Sequence, residues 1–366
     1  MSQYDFAVIG AGPAGLATAH ALVRHDQQVV MIDPLLGLEN PPGAAAGLVN
    51  VAIGKRALLG WEAGACYDAF IQNLNTLSEA SGRDDLYLKS GILRPALTEE
   101  LYELFFKSYS EQPWPEGWIS WMNAGRVRAF NPHLPESYGG LYLKNGLSVY
   151  VDRYLNTYRQ YLKSKGVKLL GDQVNYQANK NGFELSGSGG DTITAKKVIV
   201  ASGAATLDFP EWQILKANRV KGEIAVYEAD HPLEWDHAVS VHGYMIRRGE
   251  RELVVGSTYN HHDFTYETTD DGKKQLDQKL QKVFPELSSS LKHTEQMAGI
   301  RVTTHNRLPL IGEHPGYPNL YIFTALGSKG LLFSEYVSSI LCDHILQNSG
   351  MPEELDVKRA IRYAPS

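Results

Sequence analysis

Apolar and polar positions alternate along this chain in two rhythms. YDFAVIG (4–10) is a short unbroken apolar run, AGPAGLATAHALVRHD (11–26) has helical spacing, and QQVVMIDP (27–34) is a second apolar run ending in an acid. Short unbroken runs predict buried strands, so the first residues read as a βαβ unit. Residues 40–60 break the rhythm with a small-residue loop that leads toward a helix. YVDRYLNTYRQYLKSKG (150–166) has amphipathic helical spacing, and VKLLGDQVNYQ (167–177) reads as a strand. NGFELSGSGGDTITA (181–195) has the form of a hairpin, and KKVIVASGAAT (196–206) is an apolar strand running into a glycine turn. Between 216 and 299 the short runs RVKGEIAVYEA, GYMIRR and ELVVGSTY, with the helical DGKKQLDQKLQKVFPEL, predict a sheet-rich insertion. Residues 82–144, with Trp114, Trp118 and Trp121 near prolines, are expected to complete that region as irregular cover, the tryptophans serving as core or lid. NLYIFTALGSKGLLFSEYVSSILCDHILQ (319–347) returns to strand, glycine turn and helix.

Composition adds limits. A chain of 366 residues, 43% hydrophobic and 21% charged, is long enough to bury a large core in about two domains. The net charge of -6 and the absence of any Lys/Arg run longer than two argue against a nucleic-acid surface. Cys66 and Cys342 offer no disulfide framework and point to packed thiols in a reducing compartment. MSQYDFAVIG enters a strand without a basic leader, and no apolar run approaches a membrane span. A cytoplasmic protein is expected.

The opening βαβ unit carries the first chemistry. Gly10, Gly12 and Gly15 fit G-x-G-x-x-G: the first allows a tight turn, the second lets a pyrophosphate touch backbone, and the third lets the helix pack on the strand. The helix N-terminus then faces the phosphates, and Asp33 stands where an acid accepts ribose hydroxyls. GSGG at 187–190 is read as a turn, since no helix follows it.

Beyond this motif, VIGAGPAGLATAHAL, GAAAGLVN, VIVASGAA, GYMIRRGERELVVGSTY, AGIRVTTHNRLPLIG and ALGSKGL follow one another through nearly the whole chain. In that order they resemble the D-amino-acid oxidase superfamily of flavoproteins, the glycine oxidase and sarcosine oxidase branch in particular. The resemblance implies an α/β fold in which residues 1–81, 145–215 and 300–366 form a glutathione-reductase-like FAD-binding Rossmann domain. Residues 82–144 and 216–299 would form an α+β substrate domain with a large mixed or antiparallel sheet. It implies FAD rather than NAD, held by Gly10, Gly12, Pro13, Ala14, Gly15 and Asp33, by Ala45, Ala46 and Gly47, and by Val174, Ala201 and Gly203. At the flavin's pyrimidine edge it implies Gly327, Ser328, Lys329, Gly330 and Leu331, where helix-start N–H groups and the lysine would stabilise negative charge. The sarcosine oxidase branch tethers its flavin through a cysteine near the position held here by Arg301, so non-covalent FAD is expected.

Arg301, in AGIRVTT, carries a cation toward the interior near a strand end. The branch's G-[IL]-R-x-x-T arginine grips the substrate carboxylate, assisted by the tyrosine of Y-[IL]-V-P-R, here Tyr244. A guanidinium fork and a phenol suit that task, although Arg247 replaces the usual proline. The other role open to Arg301 is a core ion pair. His242 is a candidate neighbour of Tyr244 on its strand face, whereas His261-His262 lack partners at metal spacing.

The implied reaction oxidises the C–N bond of a small amino acid or N-substituted glycine by hydride transfer to flavin N5, giving an imine that hydrolyses to a 2-oxo acid. No side-chain base is required, and the implied partners are a small carboxylate-bearing amine and molecular oxygen or another electron acceptor. FTALGSKGLLFSEYVSSIL is at least as similar to the oxidoreductase half of the bifunctional tRNA 5-methylaminomethyl-2-thiouridine biosynthesis enzyme as to glycine oxidase, which makes carboxymethylaminomethyl-uridine in tRNA a second candidate substrate. A 2-hydroxy-acid dehydrogenase ranks third, and a flavin-binding protein without turnover is the alternative outside the enzymes.

Overall fold

A computed structural model of the chain describes residues 3–36, 45–187 and 192–361. Seven helices lie among them: α1 (Pro13–Val23), α2 (Ala63–Ser81), α3 (Glu99–Glu111), α4 (Ala124–Phe130), α5 (Val151–Ser164), α6 (Asp270–Val283) and α7 (Gly330–Gln347).

The first sheet grows from the N-terminal run. Gln3–Ile9 lies parallel to Val29–Ile32 on one side and to Thr192–Val200 on the other. Its alternate side chains serve two cores: Phe6 and Val8 join the core that also holds α1, α2, α5 and α7, while Ala7 and Ile9 join the core on the other face. Thr192–Val200 is shared, pairing antiparallel with Gly182–Gly187 near its start and parallel with Leu320–Thr324 near its end. The segment 167–177, read as one strand, is two. Lys168–Leu170 extends the parallel sheet beside Val29–Ile32, whereas Val174–Asn179 pairs with Gly182–Gly187 in an antiparallel hairpin on the far side. Gly171 and Asp172 separate them, a pair with low strand propensity that marks the break. Gly187 ends its strand, and the remainder of the GSGG turn lies outside the described residues.

The second sheet has eight strands, from Leu291–Thr303 at one edge through Asn218–Ala229, Glu252–Gly256, Tyr244–Arg248, Ala238–Val239, Ile92–Pro95 and Gly140–Leu143 to Ile119–Met122 at the other. Residues 82–144 therefore supply three of its strands, not only irregular cover. These strands are short, and their prolines and tryptophans obscure the alternation that would have revealed them. Trp118 meets Tyr67 edge to face, and Trp121 packs on Tyr102 and Phe106, so these tryptophans are packing groups. The Leu291–Thr303 strand runs unbroken through position 300, where one domain was expected to give way to the other. A small sheet of Leu48–Val49, Leu147–Val149 and Tyr87–Leu88 joins the two halves. No helix among the described residues is long and apolar enough to cross a membrane.

Between α1, α2, α5 and α7 lies a polar cluster that the sequence did not announce. Glu335 of α7 accepts from Asn73, Tyr154 and Tyr158, and His20 shares a hydrogen bond with Tyr158. Enclosure pushes the Glu335 carboxyl up from 4.5 to about 8, with the tyrosine hydrogen bonds and Arg24 opposing the shift. A raised carboxyl contributes stability that is present in full below pH 4.5 and lost as pH rises through about 8. Burial depresses His20 from 6.5 to about 4, so its opposite slope acts only below 6.5. The melting temperature should therefore fall from pH 6.5 to 8, and Glu335→Gln should flatten that fall. Equal slopes in both proteins would show that Glu335 is ionised throughout.

Candidate active site

At the first glycine turn, Gly10 has φ +112°, and a Cβ there would collide with the carbonyl of Ala201, whose N–H donates to Ile9 O. A Cβ at Gly15 would collide with Gly10 O, so that glycine is required for helix-on-strand contact. Gly12 differs. Among the described residues nothing lies within 4 Å of a Cβ built on it, which leaves the turn open to a ligand. Gly12 is also the N-cap of α1, with no side-chain cap, Pro13 in the first turn and no acid there. The N–H groups of Ala14 and Gly15 are thus free of helical partners, as an anion site needs. Asp33 accepts from the N–H of Ala11 at 2.7 Å and of Leu35 at 2.8 Å, so its carboxylate fixes the glycine turn. Arg159 of α5 donates to Ala11 O from the other side.

The start of α7 meets the start of α1: a Cβ at Gly330 would lie 3.7 Å from Pro13 Cγ. Lys329 is the N-cap, with no side-chain cap and no acid in the first turn. Two uncapped helix N-termini therefore converge, and their dipoles add to a positive potential. Burial, reinforced by Arg307, lowers the Lys329 ammonium to about 8. Ser328 is exposed, and Leu331 packs at the edge of the first core. Gly47 accepts from the Val149 N–H, with Ala46 half-buried and Ala45 exposed ahead of it. Gly203 opens a short 3-10 turn with φ +58°, and Val174 is buried in the second core. A pyrophosphate-bearing dinucleotide fits this donor set.

Arg301 lies next to that cradle, because Gly327 N–H donates to Val302 O at 2.9 Å. Its register opposite Val220, with Gly222 opposite Gly299, Ile224 opposite Gly256 and Gly256 opposite Tyr244, puts Arg301, Gly222, Gly256 and Tyr244 on one sheet face. The glycines leave the floor bare. A Cβ at Gly222 would collide with the Arg301 guanidinium, and one at Gly256 with the Tyr244 ring. No carboxylate among the described residues pairs with Arg301, and its Nη1 is buried without a partner. Burial raises the Tyr244 phenol, while the Arg301 charge and a hydrogen bond with Ser257 pull it down.

Other candidates fall away. His242 precedes the strand, is exposed, and turns its carbonyl to Lys279, because φ +54° takes it out of the pleat. Arg247 does not distort its strand, which pairs regularly from Tyr244 to Arg248; its guanidinium donates to Leu233 O and pairs with Asp236. His261 and His262 are exposed, and no group of His, Cys, Asp or Glu among the described residues is arranged for a metal.

Sequence reasoning missed two residues here. Tyr259 lies over Arg301, its ring centroid 5.2 Å from Cζ. Arg94, on Ile92–Pro95, is buried and donates to Ala52 O at 2.8 Å and Gly54 O at 2.7 Å, which clamps the hairpin whose Lys55 lies near His242. Period-two reading of ELVVGSTY would have put Tyr259 in phase with Ser257, off the Gly256 face; the shift after Gly256 hid it.

The family profile described as "FAD dependent oxidoreductase" (DAO) matches residues 5–343. Glycine oxidase of Geobacillus kaustophilus (strain HTA426) is 23% identical over 361 residues, covering 93% of this chain and 92% of that protein. The solved glycine oxidase structure from Geobacillus kaustophilus superposes with a TM-score of 0.84 at 22% identity, over 99% of this chain and 100% of the other. The tRNA 5-methylaminomethyl-2-thiouridine biosynthesis bifunctional protein MnmC of Marinobacter nauticus (strain ATCC 700491 / DSM 11845 / VT8) is 24% identical over 358 residues, 93% of this chain but only 55% of that protein. Iminodiacetate oxidase (IdaA) from Chelativorans sp. BNC1 gives a TM-score of 0.79 at 23% identity, covering 96% of this chain and 98% of the other.

Proposed function

The chain belongs to the DAO family of FAD dependent oxidoreductases, and from that premise we propose that it oxidises the C–N bond of a small N-substituted glycine or amino acid. The Arg301 guanidinium, which no carboxylate among the described residues pairs, carries this reading together with Tyr244 beside it on a bare glycine floor. Arg301 binds the substrate carboxylate through its fork, and Tyr244 adds a third hydrogen bond. With the carboxylate fixed there, the α C–H is turned toward the cradle formed by the α1 and α7 N-termini. FAD, when bound, supplies the two-electron acceptor. Gly12, Ala14 and Gly15 hold its pyrophosphate, Asp33 its ribose, and Lys329 with the first N–H groups of α7 its pyrimidine edge. The first sheet with its helices is the cofactor half and the second sheet the substrate half. FAD is held without a covalent bond: Cys66 and Cys342 are both buried in helices, and burial raises both thiols.

A second reading, oxidation of a carboxymethylaminomethyl group on tRNA, draws support from Tyr259, Phe264 and Tyr266, which expose aromatic surface within one short segment. An anaerobic panel separates the two. Glycine, sarcosine, iminodiacetate, D-amino acids, 2-hydroxy acids and unmodified or carboxymethylaminomethyl tRNA are mixed with the oxidised holoprotein while flavin absorbance is followed. Reduction by a free N-substituted glycine is expected. Reduction by modified tRNA alone would select the second reading, and reduction by 2-hydroxy acids alone would overturn both.

A further inference from the structure

Arg301 is an unusual cation for a half-buried site, because no carboxylate among the described residues fixes its orientation. A long guanidinium side chain without such a partner would sample several rotamers, and each misplaced one would cost affinity for a bidentate ligand. Two surfaces limit it instead. The backbone of Gly222 is its floor, since any Cβ there would collide with the guanidinium. The ring of Tyr259 is its roof, 5.2 Å from Cζ.

The roof is itself anchored. Past Gly256 the chain stays on the Asn218–Ala229 strand: Thr258 N–H donates to Glu223 O at 3.0 Å, and Lys221 and Asn260 exchange a pair of 2.9 Å backbone bonds. Asn260 opposite Lys221 places Tyr259 opposite Gly222, on the Arg301 face. Behind it, the buried Lys221 ammonium pairs with Asp263 and donates to Thr265 at 3.2 Å, which secures the segment just after the ring. Tyr259 is nevertheless 63% exposed, far more than a core aromatic.

We propose that Tyr259 is a positioning residue of the site: its ring presses the Arg301 guanidinium onto the Gly222 floor so that the fork faces the substrate carboxylate. The proposal rests on the carboxylate-binding role given to Arg301 above. It needs the ring and not the hydroxyl, because a cation over an aromatic face is attracted by the ring's quadrupole.

Acetate binding to the FAD-loaded protein, followed by the perturbation of the flavin spectrum, tests this with the variants Tyr259→Phe, Tyr259→Leu, Arg301→Ala and the Arg301→Ala/Tyr259→Leu double. Tyr259→Phe should bind acetate like the parent, and Tyr259→Leu should bind it about 5- to 20-fold more weakly, the range of a partly desolvated cation–π contact. In turnover the Leu variant should raise KM more than it lowers kcat. Once Arg301 is alanine, Tyr259→Leu should have no additional effect, because the two residues act through one another. An unchanged Kd in Tyr259→Leu, or a Phe variant as weak as the Leu variant, overturns the proposal. So does a Leu effect that persists without Arg301, which would mean that the ring touches the ligand itself. Acetate bound equally by the parent and Arg301→Ala would remove the carboxylate role on which the proposal stands, and that arm separates the two failures.

Discussion

Arg301→Ala should lower kcat/KM for a carboxylate-bearing amine on the order of a hundredfold or more. Each charge-assisted hydrogen bond contributes roughly 1.5 to 3 kcal/mol, so loss of a bidentate pair costs about 3 kcal/mol or more. The fold should tolerate the change, because no carboxylate among the described residues pairs with the guanidinium, so its removal strands no such acid. Arg301→Lys should recover only part of the loss, since an ammonium keeps the charge but not the planar fork. Tyr244→Phe removes a single neutral donor, about 1 kcal/mol, and should act mainly on KM. Steady-state kinetics on variants shown to retain FAD check all three. Parent-like turnover in Arg301→Ala would remove the carboxylate clamp from the mechanism.

Gly12→Val should yield a folded but colourless protein. Among the described residues nothing lies within 4 Å of a Cβ at Gly12, so the added side chain should be tolerated by the fold and block the place proposed for the pyrophosphate. Its neighbours give the contrast. Gly10→Ala and Gly15→Ala drive Cβ atoms into backbone carbonyls, and Gly10 also has φ +112°, so those variants should lose fold stability along with cofactor. Flavin content together with the melting temperature of the stripped protein distinguishes these outcomes. A Gly12→Val protein that purifies with a full complement of FAD would show that the turn does not contact the pyrophosphate.

Much of this was legible in order along the chain because local rhythm and local chemistry coincide there. The run from Tyr4 to Asp33 predicts strand, glycine turn, helix, strand and terminal acid, and the structure has them in that order; the hydrogen bond by which Asp33 also holds the Ala11 N–H of the turn was not legible. Arg301 reads from its own stretch as a cation entering the interior, but its pairing with Tyr244 comes only by resemblance, since they lie 57 positions apart and only the register through Gly256 and Gly222 puts them on one face. Tyr259, Arg94 and Glu335 were not legible. Each depends on a nonlocal partner: a guanidinium from the far side of the Asn218–Ala229 strand, two carbonyls of a hairpin, and hydroxyls from another helix. The split of 167–177 into two strands was hidden for the same reason, because a strand's partner is set by the sheet and not by its own apolar run.

The proposed chemistry rests on recognition of a carboxylate by Arg301. Anaerobic mixing of the oxidised holoprotein with the amino acid that best reduces its flavin, and in parallel with the primary amide of the same amino acid, tests this without altering the protein. The two ligands share the amine and the α C–H and differ only in the group that Arg301 would hold. The acid should bleach the flavin, while the amide should bleach it at least about a hundredfold more slowly, the loss of a charge-assisted pair. Equal rates for acid and amide would contradict the account and leave Arg301 without its ligand.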